Sequence, residues 1–538
     1  GHTRGIVPLL DEAGIRLLHI GVNPASAAPE VPGVYRWQDE HTDTEIVVAY
    51  TKGGYGDVTH VPGSDAALYI AMTNDNHGPH SVEAVKGLYA KLQARFPNAV
   101  IGSGRLDDYA RDLLPMREEL PVVTQEIGDT WIHGVGCDPQ TTIPYRALCQ
   151  LRREWREDGL DKEHPEAFDR FSTRLLLVPE HTWGLSEMAT LNDNEHYSKE
   201  AFRSVWRQPN YRRLERAWTD KRNHNAAAVA LLEGTPMADE ARAALDAAKQ
   251  ETPSTAEFRP VENPLGAQEA GRFRFRFDNR GAIVHLEDTG TGRMWADDAH
   301  PLGLFSYEVF SLEDFERFHD AYTIIDVAWG RSDLGKVCLD RAKEHYAAAV
   351  PEHREWTPVL RTLHARETRD SLDCLAALST LKEACDCFGC PRDLRVHYAF
   401  SKTVPSLDVE FHLFDKDASR IAEALWLSFC PIISDPKGWT LYKMGQPVSP
   451  LDVVHGGNQY LHAIDPGVVY RDDSGGLTIT SPDACLCAPG ARALLRFDNE
   501  PPAIEKGIYF NLYNNVWGTN FRSWYGEDTR FGFQLIFG

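Results

Sequence analysis

The chain has 538 residues, 42% of them hydrophobic and 25% charged, which predicts about three domains with large buried cores. Its formal net charge of −23 argues against nucleic acid and anionic membrane surfaces as partners, because like charges repel. No segment approaches the ~18 consecutive apolar residues that a membrane-spanning helix needs. The composition leaves the compartment open, with a slight preference for the cytoplasm, and it is compatible with a homo-oligomer.

Residues 1–190 alternate between the apolar pattern of helices and that of buried strands. A helix is predicted over 81–96, with its apolar residues on one face: Val82, Val85, Leu88, Tyr89 and Leu92. Strands are predicted at 18–22, 44–50, 66–72, 98–104, 121–128 and 174–181. Short apolar runs divided by helices predict a parallel sheet with covering helices, either open or closed into a barrel. In such folds the ligand site lies at the carboxyl ends of the strands.

Two further regions follow. Residues 191–255 are rich in Ala, Leu, Arg and Glu, which predicts a bundle of helices. Residues 256–538 show the alternation of apolar and polar residues that is typical of strands, beginning with a hairpin whose turn spans 278–281. This last region is predicted to be a large antiparallel β-sandwich domain.

The chain has ten cysteines, and four of them are candidates for a local cluster: Cys374, Cys385, Cys387 and Cys390. Four thiolates could hold a structural zinc ion, but the spacing is not that of paired C-x-x-C motifs. We therefore favour reduced or locally bridged cysteines and keep a structural metal as the minority interpretation.

The polar residues after the predicted strands are the first candidates for a site. Asn74, Asp75, Asn76 and His77 follow the strand at 66–72 and precede the predicted helix. Asp and Asn are ordinary helix-capping residues, so a structural role is one interpretation. Four polar side chains at one strand end exceed the needs of capping, and we favour a functional role.

Two other strand ends carry similar residue types. Glu126, Asp129, Trp131 and His133 follow the strand at 121–128. A carboxylate beside an indole suits sugar binding, because the ring stacks on an apolar sugar face and the hydroxyls need acceptors; it also suits a general acid. This segment is equally compatible with a plain loop.

The last strand end of the region has Glu180, His181 and Trp183. A histidine beside carboxylates from neighbouring strand ends is a candidate metal ligand. Taken together, the three strand ends suggest glycoside chemistry, with two carboxyl groups flanking the scissile bond and a metal that could polarise substrate hydroxyls.

Several segments resemble a known family. The order "NDNHGP", "PNAVIGSGRLDDYARDL" and "LPVVTQEIGDTW" resembles the catalytic region of glycoside hydrolase family 38, the zinc-dependent retaining α-mannosidases. It resembles more closely a relative classed as domain of unknown function 5054. The resemblance to this relative also includes the segments "GHTRGIVPLL", "PEHTWGL" and "FNLYNNVWGTNF". The resemblance covers nearly the whole chain. It implies a multidomain fold of the α/β plus all-β class. Residues 1–190 would form the C-terminal part of an incomplete (β/α)7-type barrel, residues 191–255 a helical bundle and residues 256–538 a β-sandwich.

The resemblance also assigns roles to residues. It implies that Asp75 is the general acid/base and that Asp129, the second candidate catalytic carboxylate, lines the sugar site. His181 lies near the position of a zinc-binding histidine, although this chain has Glu180-His181-Thr182 where the family has His-Asp-Ala or His-Asp-Gly. Zinc is therefore the implied cofactor of the full-length protein.

Two family elements have no counterpart in the chain. No early His-x-Asp zinc motif precedes His181. The family's nucleophilic aspartate stands just before a Phe-Gly-His-Ser motif, and Gly1-His2-Thr3 matches its Gly-His-Ser part. The resemblance thus places the nucleophile immediately upstream of Gly1, so the N-terminal part of the catalytic domain is expected to lie outside this chain.

Near the C-terminus, the alternating segment 509–521 predicts a strand of the sandwich. In related enzymes a β-domain segment reaches the active site, so Asn514 and Trp517 are candidate substrate contacts, although we favour their structural role. With Asn74, His77, Trp131 and His133 they complete the candidate substrate-binding residues.

These observations lead to three functional hypotheses. The first is a retaining, metal-assisted glycoside hydrolase that acts on α-mannoside-like or related glycosides. The alternatives are a non-catalytic carbohydrate-binding protein and a sugar-modifying enzyme such as a polysaccharide lyase. In each case the partner is a carbohydrate.

Overall fold

The structure is a computed structural model that describes residues 2–23, 25–52, 54–73, 77–128, 130–247, 252–324 and 339–538. The chain divides into two compact units, which are described in turn. The first unit comprises His2–Ile127 with Val454–Gly457, and the second comprises Gly128–Val453 with Asn458–Gly538. No helix in the described part of the chain is both long and apolar enough to cross a membrane.

Among its described residues the first unit contains three α-helices and six strands. The helices are α1 (Val7–Glu12), α2 (Val82–Arg95) and α3 (Leu106–Leu113). The strands are β1 (Leu17–Gly21), β2 (Val34–Asp39), β3 (Thr44–Thr51), β4 (Val58–His60), β5 (Ala67–Tyr69) and β6 (Val122–Val123). Four strands form one sheet in the order β1-β3-β2-β6, while β4 and β5 form a separate antiparallel pair.

The position of β3 in the middle of the sheet explains why its sequence is continuously apolar. Ile46, Val48 and Tyr50 pack in one core cluster, whereas Val47 and Ala49 pack in another. Successive side chains point to opposite faces of a sheet, so both faces of β3 are covered. The strands predicted at 18–22 and 44–50 are confirmed as β1 and β3.

The predicted all-parallel arrangement is wrong for this sheet. β1 runs parallel to β3 and β6 parallel to β2, but β2 runs antiparallel to β3. The strand predicted at 98–104 is also wrong, because this segment has no strand and Val100 is fully exposed. The sheet is therefore mixed, and the barrel stays a prediction.

The helix predicted over 81–96 is confirmed as α2, and Ser81 caps it by accepting a hydrogen bond from the Ala84 backbone amide. Several of its apolar residues are exposed in the described part of the chain. Val82 is 63% exposed, and Val85 and Tyr89 are also exposed. Among the described residues, these three side chains belong to neither of the core clusters that cover β3.

The second unit begins with helices and continues with β-structure. Its first seven helices are α4 (Pro139–Glu157), α5 (Leu160–Glu163), α6 (Pro165–Leu175), α7 (Glu187–Leu191), α8 (Lys199–Val205), α9 (Pro209–Val229) and α10 (Met237–Ala247). Helical structure thus starts well before residue 191, while the boundaries of the three predicted domains stay predictions. Residues from α4, α6, α9 and α10 share one core cluster.

The strand predicted at 174–181 is wrong because the apolar run follows helical spacing. Leu175 and Val178 are buried in the core cluster of the bundle, three residues apart. Leu176 and Leu177 between them are 67% and 41% exposed. An interval of three residues is that of a helix face, and here α6 ends in turns at this run.

The β-part of the second unit has twenty strands in the ranges that the structure describes. They are β7 (Arg259–Pro260), β8 (Gln268–Ala270), β9 (Phe273–Phe277), β10 (Ile283–Asp288), β11 (Arg293–Ala296), β12 (Leu302–Val309), β13 (Arg354–Trp356), β14 (Val359–Glu367), β15 (Ser371–Ser379), β16 (Asp393–Ser401), β17 (Ser406–Phe414), β18 (Glu423–Phe429), β19 (Trp439–Lys443), β20 (Gln446–Val448), β21 (His462–Ala463), β22 (Gly467–Asp472), β23 (Gly475–Thr480), β24 (Leu486–Pro489), β25 (Ile508–Asn514) and β26 (Thr529–Phe537). Three further helices accompany them, α11 (Leu312–Tyr322), α12 (Leu339–Ala349) and α13 (Lys382–Cys387).

These strands form two ten-stranded antiparallel sheets, which confirms the predicted antiparallel β-region and its hairpin of β9 and β10. One sheet has the order β21-β24-β25-β18-β12-β10-β9-β8, with β11 and β13 attached. The other has the order β20-β19-β22-β23-β26-β17-β16-β15-β14-β7. Aromatic side chains from the two sheets meet between them, as in the ring contacts of Phe275 with Phe400 and of Phe305 with Phe411. The two sheets therefore pack face to face.

Candidate functional site

The two predicted catalytic carboxylates cannot be placed. Asn74, Asp75 and Asp129 lie outside the described residues. His77 is exposed just before the start of α2. The roles of these four residues therefore stay predictions.

The structure brings together four residues that sequence reasoning singled out separately. Trp131 and His133 lie on a 3-10 turn over Thr130–Gly136, and Asn514 ends β25. The His133 ring stacks on Trp517 with ring centroids 5.1 Å apart, and Trp131 meets Trp517 edge to face at 5.3 Å. Asn514 Nδ2 donates a hydrogen bond of 3.0 Å to the His133 carbonyl. We call these four residues the aromatic cluster.

Most of the aromatic cluster is occupied with internal contacts. His133, Asn514 and Trp517 are buried, and His133 Nε2 lies 2.7 Å from the Leu494 carbonyl oxygen. Trp131 is half-buried and therefore keeps part of its surface accessible. Of the four, Trp131 has the exposure that a sugar-stacking side chain needs, while the other three fix its surroundings.

Glycines allow the turn that carries Trp131 to approach the β-region closely. A Cβ atom at Gly134 would lie 2.3 Å from the Phe521 ring, and one at Gly136 would lie 2.5 Å from Asn514 Nδ2. Both distances are far below van der Waals contact, so a side chain at either position would displace its neighbour. The segment that follows residue 129 is thereby held against the end of β25.

Replacing Asn514 with alanine should therefore destabilise the second unit. The buried amide donates to the His133 carbonyl and, at 2.8 Å, to Asn511 Oδ1. Leaving buried acceptors unsatisfied costs about 1–3 kcal/mol. We expect a loss of about 2 kcal/mol in the free energy of unfolding, measured by urea denaturation. The exposed Asn98→Ala is the control, and equal stability of the two variants would contradict this role.

Glu126 is buried and holds the beginning of the described chain. Its Oε2 accepts a hydrogen bond of 2.7 Å from the Thr3 hydroxyl, and its Oε1 accepts one of 3.1 Å from the Ile127 amide. Arg4, next to Thr3, lies 3.7 Å from the buried Asp39 carboxylate. Two segments that the sequence analysis singled out, the chain start and the strand end at 126, are thus in direct contact.

His181 does not lie in a ready-made metal site. Its side chain is 78% exposed, and its Nδ1 lies 2.7 Å from Glu180 Oε1. Burial raises the pKa of Glu180, but hydrogen bonds from Thr182 outweigh it and hold the pKa below its ordinary value. Lys221 donates hydrogen bonds to the carbonyls of Leu177, Glu180 and Thr182, which fixes this turn.

Zinc in a protein takes three or four His, Cys, Asp or Glu ligands. No group of three or more such side chains with suitable geometry occurs in the described ranges. His181 supplies one donor, with Glu180 as its neighbour, so the residues that can be placed do not fit a zinc ion.

The cysteine cluster agrees with the reduced alternative. The nine described cysteines are free thiols, among them Cys374, Cys385, Cys387 and Cys390. Cys385 Sγ lies 2.8 Å from Thr380 Oγ1, and a hydrogen bond from Cys390 lowers the pKa of Cys385 to about 6. Cys374 lies on β15, where its thiol is directed to Gln268 instead.

Glu308 on β12 is a buried acid that no sequence motif singled out. Burial raises its pKa to about 7, although Arg492 and His353 oppose the shift. Trp426 Nε1 donates a hydrogen bond of 2.7 Å to Glu308 Oε1, and His353 Nε2 lies 3.8 Å from Oε2. A carboxyl that titrates near neutrality is suited to proton transfer. The available signal was a lone glutamate within the apolar run "LGLFSYEVF".

Glu308 should make stability depend on pH. Its ordinary pKa is 4.5, so between about pH 4.5 and 7 the folded protein holds a proton that the unfolded chain has released. Stability therefore falls as pH rises through this window, by at most about 3 kcal/mol. We expect Glu308→Gln to remove this decline in urea denaturation between pH 5 and 8. Glu352→Gln, with a side chain 74% exposed, should keep the wild-type profile.

An unchanged pH profile in Glu308→Gln would contradict the raised pKa of this carboxyl.

Three comparisons place the chain among known proteins. The sequence model of a family described as a domain of unknown function (DUF5054) matches residues 135–408. No curated protein gives a significant match. An α-mannosidase from Enterococcus faecalis V583 matches in structure with a TM-score of 0.56 at 11% identity, over 99% of this chain and 72% of its own. A glycosyl hydrolase family 38 protein from Enterococcus faecalis matches with a TM-score of 0.53 at 10% identity, over 100% of this chain and 72% of its own.

At these identities the two structures establish a similar fold: mixed α/β structure with large antiparallel sheets, as in the multidomain proteins of glycoside hydrolase family 38.

Proposed function

Because this chain belongs to the DUF5054 family and shares its fold with an α-mannosidase and a family 38 protein, we propose that it is a glycoside hydrolase. In this proposal it retains anomeric configuration and acts on α-mannoside-like or related glycosides. The observation that carries the proposal is the extent of the structural match, which spans 99% of the chain. A match of this extent includes both the α/β region and the β-sandwich rather than one common module.

In this proposal Asp75 protonates the leaving oxygen and later activates water, and Asp129 lines the sugar site. Trp131 forms part of the sugar wall. Its placement supports this role, because the edge-to-face contact with Trp517, on which the buried His133 ring stacks, fixes the indole while part of it stays accessible. A fixed aromatic face binds a sugar ring with little loss of side-chain entropy.

The nucleophile and the metal also belong to the proposal. In this proposal a second carboxylate acts as the nucleophile, and the contact of Thr3 with Glu126 brings the first described residues to the segment that follows β6. Since the described residues do not fit a zinc ion, no step is derived through a metal. On the resemblance alone, we also propose that the full-length gene product binds zinc with His181 as one ligand.

The test uses the full-length gene product and a panel of 4-nitrophenyl glycosides. We expect release of nitrophenol from the α-mannoside or from a closely related α-glycoside, and metal analysis of the purified protein should give zinc in stoichiometric amount. Tight binding of mannosides without turnover would favour the carbohydrate-binding alternative instead. An unsaturated product that absorbs in the ultraviolet would favour a lyase.

A further inference from the structure

A cavity of about 440 Å³ lies between α9 and the loop that precedes β26. Eight residues line it: Arg212, Glu215, Arg216, Trp218, Thr219, Arg222, Arg522 and Glu527. Its volume falls in the range of roughly 300–1,000 Å³ that is typical of small-molecule sites. None of these residues belongs to the glycosidase site predicted from the sequence.

One face of α9 builds most of the wall. Arg212, Arg216 and Thr219 follow one another at intervals of four and three residues, and Arg222 comes three residues later. Residues at these intervals lie on the same face of a helix. Three guanidinium groups of one helix are therefore directed to the same cavity.

The inner part of the cavity is fixed by ion pairs. Arg222 bonds the buried carboxylate of Asp138 through Nε at 2.8 Å, and Arg522 reaches the same carboxylate at 3.2 Å. Both arginines also bond Glu527, at 2.9 and 2.8 Å. Burial raises the pKa of Asp138, but the two guanidinium groups outweigh it and lower the pKa below its ordinary value. Two arginines and two carboxylates thus balance each other and hold the wall in place.

The outer part of the cavity carries excess positive charge. Arg212 bonds Glu215 at 2.6 Å, whereas Arg216 is exposed and pairs with no carboxylate in the described part of the chain. With Asp138 included, four arginines face three carboxylates, which leaves one positive charge in excess. This excess is notable in a chain whose formal net charge is −23, because most of its surface repels anions.

We propose that this cavity binds a small organic anion of about monosaccharide size through Arg216 and Arg212. A carboxylate or a phosphate group offers the oxygens that a guanidinium group bonds in a bidentate manner. Thr219 and Glu215 provide a hydroxyl and a carboxylate for the neutral hydroxyl groups of the same ligand. A sugar acid and a sugar phosphate share this chemistry.

The test is calorimetric titration of the full-length protein with glucuronate, glucose 6-phosphate, inorganic phosphate and neutral glucose. We expect one of the two sugar anions to bind, with an affinity that falls as salt increases, and neutral glucose not to bind. Binding of glucuronate alone identifies a carboxylate site, and binding of glucose 6-phosphate alone identifies a phosphate site. Binding of inorganic phosphate as tight as that of the sugar anions would contradict a role for the sugar hydroxyls.

Arg216→Gln should weaken binding by about tenfold or more, because a charge-assisted hydrogen bond is lost. Arg216 has no ion pair to break, so this variant should fold normally. Arg213→Gln is the matched control. Arg213 is exposed on the same helix but does not line the cavity, so this variant should bind as the wild type does. Equal losses in both variants, no loss in Arg216→Gln, or no binding of either sugar anion would overturn the proposal.

Discussion

Replacing Lys416 with methionine is expected to lower the free energy of unfolding by about 3–5 kcal/mol. Lys416 Nζ and Glu423 form an ion pair in which both side chains are fully buried. Glu423 also accepts a hydrogen bond of 2.6 Å from the Tyr307 hydroxyl, and Lys416 donates one of 3.0 Å to the Tyr525 carbonyl. Removing the ammonium leaves an uncompensated carboxylate in the core of the second unit.

The matched control is Lys402→Met. Lys402 pairs with Glu367 at 2.8 Å, but the Glu367 side chain is 76% exposed, and exposed pairs contribute about 0–1 kcal/mol. Chemical denaturation of the two variants and of the double variant Lys416→Met/Glu423→Met provides the measurement. The double variant should be less destabilised than Lys416→Met, because no buried charge remains. Equal stability of Lys416→Met and Lys402→Met would contradict the role of the buried pair.

The second large effect is expected for Asp75→Asn, which should slow hydrolysis of 4-nitrophenyl α-mannoside by about 10²–10⁴-fold in the full-length gene product. This prediction rests on the proposed role of Asp75 as the acid that protonates the leaving oxygen. Hydrolysis of a substrate whose leaving group departs without a proton should therefore be slowed much less, when kcat/KM is compared. The value of kcat/KM with a dinitrophenyl mannoside, which reports departure of the leaving group and not the later activation of water, is the measurement that separates lost acid catalysis from damage to the fold.

Asp107→Asn is the control, since Asp107 is an exposed acid in the first turn of α3. It should hydrolyse both substrates at the wild-type rate. If Asp75→Asn lowered kcat/KM equally for both substrates, or for neither, Asp75 would not be the general acid.

The β-region could be predicted from the sequence because its strands have one face in the core. β16 alternates half-buried and buried residues along its whole length, and the apolar and polar residues of Asp393–Ser401 alternate with it. The hairpin of β9 and β10 is equally clear, because its turn contains Gly281 at a positive φ of 81° between two apolar runs. Local pattern and tertiary environment agree in these elements.

The α/β region could be predicted only in part, because short apolar runs have two meanings. The run at 174–178 has the residue types of a buried strand, yet burial of Leu175 and Val178 alone shows a helix end packed on a bundle. Only the partner surface decides between the two, and the sequence does not contain that information. The helix α11 was not predicted because it lies between strands of the β-region. Its capping box of Ser311 and Asp314 was the local signal that could have identified it.

The candidate site shows the same limit. Trp131 and Trp517 were identified separately, and their contact joins segments far apart in the chain, which no local pattern predicts. The raised pKa of Glu308 likewise depends on burial by neighbouring strands. The excess positive charge at Arg216 depends on which arginines form ion pairs with carboxylates in the folded chain.

We propose above that the protein hydrolyses glycosides with retention of configuration. The most direct measurement is a proton magnetic resonance spectrum of the first sugar released from 4-nitrophenyl α-mannoside by the full-length gene product. We expect α-mannose to form first and β-mannose to appear later by mutarotation, as required when two carboxyl groups ~5–5.5 Å apart act in sequence. Release of β-mannose first, or no hydrolysis of any aryl α-glycoside in the panel, would contradict it.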